Sequence, residues 1–112
     1  MTDLIAVGKR RTGMITVYKK LIPDFDKRGE ELMRERSSQY WVEQINVPVL
    51  VMQGGADWRA DPGSQALAFA QRLQELGKTY ELIVYADDDH AISLHRADSD
   101  KKIIEWFRRY TR

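Results

Sequence analysis

At 112 residues, with 43% hydrophobic and 31% charged side chains, the chain has the size of one globular domain and the composition of a folded one. Lys and Arg total 18 against 17 Asp and Glu, and the halves are balanced: residues 1–46 hold nine basic and seven acidic groups, residues 47–112 nine and ten, so no face is committed to nucleic acid or an anionic membrane. The lack of cysteine excludes disulfides, thiol nucleophiles and iron–sulfur clusters, no apolar run approaches the roughly 18 residues of a membrane span, and MTDLIAVGKRR places its charges after its apolar stretch, the reverse of a signal peptide; a cytoplasmic chain is expected unless an upstream segment has been lost.

In chain order, Thr2–Val7 reads as the end of a strand, Gly13–Ile22 as a loop or short helix, and Lys27–Arg36 as a polar helix around Leu32 and Met33. The Lys9-Arg10-Arg11 triplet has no interleaved aromatics and reads as a solvated turn. Val47–Met52 (VPVLVM) is nearly continuous in apolar residues and stops at Gln53-Gly54-Gly55, the signature of a strand buried on both faces. From Ser64, Ala66, Phe69, Ala70, Leu73 and Leu76 recur at helical spacing, with Asp61 or Ser64 as cap, Pro62 near the first turn and Gly77 as stop. Tyr80–Tyr85 is a second strand, and Asp98–Tyr110 a second amphipathic helix through Ile103, Trp106, Phe107 and Tyr110. Residues 1–46 thus form an irregular or helical lead-in and residues 47–112 a strand, helix, strand, helix unit within one partial α/β domain. A right-handed parallel crossover is expected.

Two parallel strands make a poor independent sheet, so the VPVLVM strand calls for neighbours, supplied by self-association or by the rest of a larger α/β protein. In open α/β sheets, chemistry sits in loops at the carboxyl ends of the strands. Here those loops are Gly54-Gly55-Ala56-Asp57-Trp58-Arg59 and Asp87-Asp88-Asp89-His90. Adjacent parallel strands bring Asp57 and His90 within reach of each other, as the orienting acid and general base of a nucleophilic hydrolase. Taken singly, Asp57 is also a common turn residue and His90 a common loop histidine.

The stretch from Arg36 to Tyr110 resembles the C-terminal part of the catalytic domain of the prolyl oligopeptidase family of serine peptidases, in the α/β-hydrolase superfamily. The resemblance rests on Arg36-Ser37 before a short helix, Pro48-Val49-Leu50 in a buried strand, the Gly-x-x-Asp-x-Arg loop at Gly54, Asp57 and Arg59, and a helix ending in Leu76-Gly77-Lys78. Val84-Tyr85, an acidic loop ending in His90, and a closing helix with Trp106-Phe107 complete the pattern. Thr2-Asp3-Leu4 is similar, more weakly, to the family's segment beyond the strand that follows the nucleophile. The resemblance implies the C-terminal parallel portion of a three-layer α/β-hydrolase sandwich, with Asp57 as triad acid, His90 as triad base and Arg59 as a loop support. Two departures are Ala60-Asp61-Pro62 in place of the usual Val-Pro, and Asp88-Asp89 where the family often has glutamate and glycine.

The family's nucleophile lies in a Gly-x-Ser-x-Gly elbow. None of Ser37, Ser38, Ser64, Ser93 or Ser99 stands in that frame, and the oxyanion donors of the family lie upstream as well. A truncated hydrolase is therefore expected, inactive by itself, acting on peptides or small esters only when complete. Its expected partner is the upstream half of the domain or another copy of itself. The alternative is a non-catalytic remnant that binds or self-associates. No cofactor is expected, and no metal: Asp87, Asp88, Asp89 and His95 lack EF-hand spacing, and consecutive aspartates point to opposite faces. Trp106 and Phe107 read as core, whereas Trp58, next to the acid, reads as a substrate contact.

Overall fold

The computed structural model describes residues 1–111. Three helices lead: α1 (Leu4–Arg10), α2 (Gly13–Leu21) and α3 (Phe25–Glu35), followed by single 3-10 turns at Ser38–Tyr40 and Val42–Gln44. Then come β1 (Val49–Gly54), a π-turn at Gly63–Leu67 running into α4 (Ala68–Glu75), β2 (Tyr80–Tyr85) and α5 (Arg96–Tyr110). The strands pair in parallel, in register from Val49 opposite Tyr80 to Gly54 opposite Tyr85. This is the expected strand, helix, strand, helix unit, and both strands end level with each other.

Thr2–Val7 is not a strand end. Asp3 Oδ1 accepts the N–H groups of Ile5 and Ala6 at 2.9 and 3.1 Å, so the apolar run begins a capped helix. Lys9 and Arg10 fall in its last turn, where cations suit the helix dipole. Gly13–Ile22 resolves as a helix that ends one residue earlier. At α4, Asp61 Oδ2 accepts the Ser64 N–H at 2.9 Å, and Gly77, at φ +63°, lets Lys78 N–H reach Leu73 O at 2.9 Å and its own N–H reach Gln74 O at 3.0 Å. That is a Schellman ending, which needs the left-handed conformation glycine adopts freely.

Alternation along β1 sends Val49 and Val51 toward α4, where Val42, Ala66, Phe69 and Leu73 close a buried core. Leu50 and Met52 line the opposite side with Ile103, Trp106 and Phe107 of α5. Trp106 is buried there, but Phe107 is 58% exposed, against expectation. A helix over two strands finds apolar cover for only part of its stripe. A second core, of Tyr18, Ile22, Phe25 and Leu32, holds α1–α3 together. Polar bonds join the two bodies: the buried Gln65 Oε1 accepts the N–H groups of Thr2 and Asp3 at 2.8 and 2.9 Å, and Ser37 Oγ accepts that of Leu4 at 2.8 Å. Among the described residues no helix is long and apolar enough to cross a membrane.

Candidate active site

β1 ends at Gly54 and β2 at Tyr85, and the loops beyond them touch backbone to backbone. A Cβ on Gly54 would run into the carbonyl oxygens of Asp88 and Asp89, and one on Gly55 into Ala86. Glycine is required here for close approach rather than for an unusual φ. Gly55 N–H donates to Tyr85 O at 2.7 Å and Ala56 N–H to Asp88 O at 2.9 Å, tying the two loops together.

This approach delivers Asp57 to His90: Asp57 Oδ2 lies 2.7 Å from His90 Nδ1. The Asp57 carboxylate is 6% exposed and has three further donors, Arg59 N–H at 2.8 Å and Ala60 N–H at 3.0 Å on Oδ1, and Gln53 Nε2 at 3.0 Å on Oδ2. Burial pushes its pKa up, but the Ala60 N–H, the His90 ring, the Arg59 N–H and the Gln53 amide outweigh burial and hold it below the ordinary carboxylate value. An ionised carboxylate can only accept, so Nδ1 of His90 donates this hydrogen bond, and in the neutral form of the ring Nε2 carries the open lone pair. The His90 side chain is 46% exposed and borders a cavity of about 180 Å³ that Asp57, Gln53, Met52, Thr2 and Met1 also line.

A second aspartate–histidine pair stands close by: His95 Nδ1 lies 2.8 Å from Asp88 Oδ2. Its setting differs from that of Asp57 and His90. Asp88 and His95 belong to one loop, the His95 ring stacks on Tyr85 with centroids 5.0 Å apart, and its Nε2 sits 3.8 Å from Asp87 Oδ1. Only His90 bridges the two strand-end loops and lines the cavity.

Trp58 is placed differently. It is 67% exposed and does not line the cavity; two guanidinium groups lie over its indole, that of Arg11 at 4.9 Å and that of Arg59 at 5.5 Å from the ring centroid. Arg59 supports the loop through its backbone, whose carbonyl takes a 3.0 Å hydrogen bond from Arg11 Nη1. The sequence does not single out Gln53, although a polar residue closing an apolar strand is a buried group in need of partners. It finds them in Asp57, Gly54 O and Ala60 O. Among the described residues no group of three acidic or histidine side chains is arranged to hold a metal ion.

The prolyl oligopeptidase family model matches residues 2–112. The chain belongs to the prolyl oligopeptidase family. That family is one of serine peptidases with the α/β-hydrolase fold, and the chain itself forms a small α/β unit around a two-stranded parallel sheet. Acylamino-acid-releasing enzyme 2 of Oryza sativa subsp. japonica is 30% identical over 81 residues, 70% of this chain and 10% of that protein. Acylamino-acid-releasing enzyme 1 of the same plant is 27% identical over 90 residues, 79% of this chain and 11% of that protein. The chain thus spans about a tenth of the length of these relatives. No solved structure matches it.

Proposed function

We propose that this chain supplies the acid and the base of a serine-peptidase triad, Asp57 and His90, to a nucleophilic serine outside these 112 residues. The 2.7 Å contact between Asp57 Oδ2 and His90 Nδ1 carries the reading. In the proposed reaction His90 Nε2 takes the serine's proton as the hydroxyl attacks the scissile carbonyl, and Asp57 holds the tautomer and stabilises the imidazolium. His90 then passes that proton to the leaving amine. The cavity beside His90, bounded by Met52 of β1, is where the serine and the carbonyl would meet. The upstream part of a hydrolase domain would bring that serine, together with oxyanion donors that stabilise the tetrahedral intermediate. The relatives' name points to N-acylated peptides as the substrate class, with small esters as surrogates.

A second reading, a non-catalytic module that pairs with another copy, draws on the apolar groove between β1 and α5.

The test grafts this chain in place of the matching segment of the rice acylamino-acid-releasing enzyme 2 and follows hydrolysis of an N-acylated peptide. Activity is expected in the graft and a loss of at least ~10³-fold in Asp57→Asn or His90→Ala, the scale on which triad members act. Full activity in both variants overturns the assignment. The isolated chain, with a base but no nucleophile, is expected to leave an activated ester at the background rate. Turnover by the pure chain that vanishes in His90→Ala would place the nucleophile within it and sink that part of the reading.

A further inference from the structure

Two residues before His90, Asp88 is completely buried. Its Oδ1 accepts the N–H groups of Asp89 at 2.9 Å and Leu94 at 3.0 Å; its Oδ2 accepts the N–H of His95 at 3.0 Å and faces His95 Nδ1 at 2.8 Å. One carboxylate thus closes the segment from 88 to 95 into a ring, with His90 on its rim. The adjacent Asp89 carboxylate ties the inside of the same ring, accepting from Ala91 N–H at 2.9 Å and Ser93 N–H at 3.1 Å.

The ring contains a strained residue. Ile92 has φ +53°, a region that a β-branched side chain enters only when its surroundings force it. The chain left alone would relax Ile92 and open the loop. The far side of Asp88 faces the acid loop, where its carbonyl takes the Ala56 N–H. His95 extends the hold, stacked on Tyr85, whose hydroxyl donates to Asp98 Oδ2 on α5 at 2.7 Å.

We infer that Asp88 is a positioning residue for the triad base: its buried carboxylate holds the strained 88–95 loop closed, and that closure keeps His90 Nδ1 against Asp57. The inference rests on the reading of Asp57 and His90 as acid and base. It assigns Asp88 no contact with substrate. Holding a side chain to within a fraction of an ångström of its productive geometry is what such a supporting group contributes.

The test reads the His90 tautomer in the isolated chain by long-range ¹H–¹⁵N NMR correlation, at a pH where the ring is neutral. In the wild-type chain His90 is expected with the proton on Nδ1. Asp57→Asn serves as the control and should move the proton to Nε2, the site a free histidine prefers. Asp88→Asn keeps the side chain's shape but turns an amide toward the His95 donors. It is expected to release His90 to the free-histidine mixture, with the chain still folded by circular dichroism. A folded Asp88→Asn chain whose His90 remains on Nδ1, while Asp57→Asn shifts it, overturns the positioning role and leaves the triad reading intact. No shift in Asp57→Asn overturns the triad reading itself. If Asp88→Asn does not fold, the wild-type chain in rising urea decides: loss of the Nδ1 tautomer should track loss of hydrogen-exchange protection at Leu94 and His95. A fixed tautomer persisting after those amides have opened overturns the inference.

Discussion

Asp57 and Asp88 are buried carboxylates kept ionised by N–H donors rather than by cations. For Asp88, burial raises the pKa, but the Leu94 N–H, the His95 ring and the N–H groups of Asp89 and His95 more than offset it, holding the group at about 2. Its folded value lies below the unfolded one, so its contribution to stability is present above about pH 4 and is lost as pH falls toward 2. His95 runs the other way. Its bond to Asp88 raises its pKa against burial, with Asp87, Asp88 and Asp98 adding attraction, and the neighbouring Tyr85 hydroxyl is itself pushed up to about 12 by burial and Asp98. Stabilisation from His95 is therefore complete below its unfolded pKa near 6.5 and is lost as pH rises through the higher folded value. The expected outcome is a melting temperature that is highest between about pH 4 and 6.5, measured by circular dichroism across pH. Asp88→Asn should flatten the acid limb. His95→Asn, whose amide nitrogen takes the place of Nδ1, should flatten the decline above neutrality, and an alkaline limb unchanged in that variant would show that His95 does not supply it.

Among the elements, β1, β2 and α4 are legible in the sequence because an unbroken apolar run and a 3.6-residue stripe each have one good solution, and because Asp61 and Gly77 mark the ends of α4 chemically. The segment Thr2–Val7 is misread for a physical reason: four apolar residues in a row fit a strand or a helix equally, and the Asp3 cap decides for helix. Phe107 is misread because its spacing specifies a face of α5 but not how much sheet lies beneath it. The contact between Asp57 and His90 is legible because each stands in the loop that follows its strand. Gln53 and Asp88 are not, since most of their partners are backbone groups of loops whose shape no spacing encodes. Gly54 looks like a strand stop, yet its role is contact between two loops. Gly54→Ala is expected to cost about 3 kcal/mol, the upper end for overpacking, since the obstacles are backbone carbonyls that cannot rotate away, and to part Asp57 from His90. Gly13→Ala is the comparison: nothing lies within 4 Å of its added Cβ, and it should stabilise α2 by up to about 1 kcal/mol. Urea denaturation of the two variants measures both, and equal midpoints would mean that the loops can separate freely.

On the scale of the whole molecule, the strands end together and put Asp57 and His90 at one edge, while the side of β1 away from β2 has no strand partner among the described residues. The β1 sequence VLVMQG carries no charge to discourage a new strand. Beside it runs an open apolar groove of about 470 Å³, lined by Val47, Leu50, Met52, Ile103 and Phe107, with Val47 66% and Phe107 58% exposed. A bare edge next to an apolar groove favours association, because each additional strand satisfies backbone groups and removes the groove from water. The isolated chain is therefore expected to self-associate, with a mass by light scattering that grows with concentration and a melting temperature that rises with it. Phe107→Lys adds charge to the groove at a position already facing solvent, where a substitution changes fold stability by no more than about 0.5 kcal/mol. It should return the chain to a monomer while leaving the melting temperature at low concentration nearly unchanged. A wild-type chain that stays monomeric over a hundredfold range of concentration would show that charged neighbours such as Lys102, Glu105 and Arg109, which line the adjoining cavity, already protect this edge.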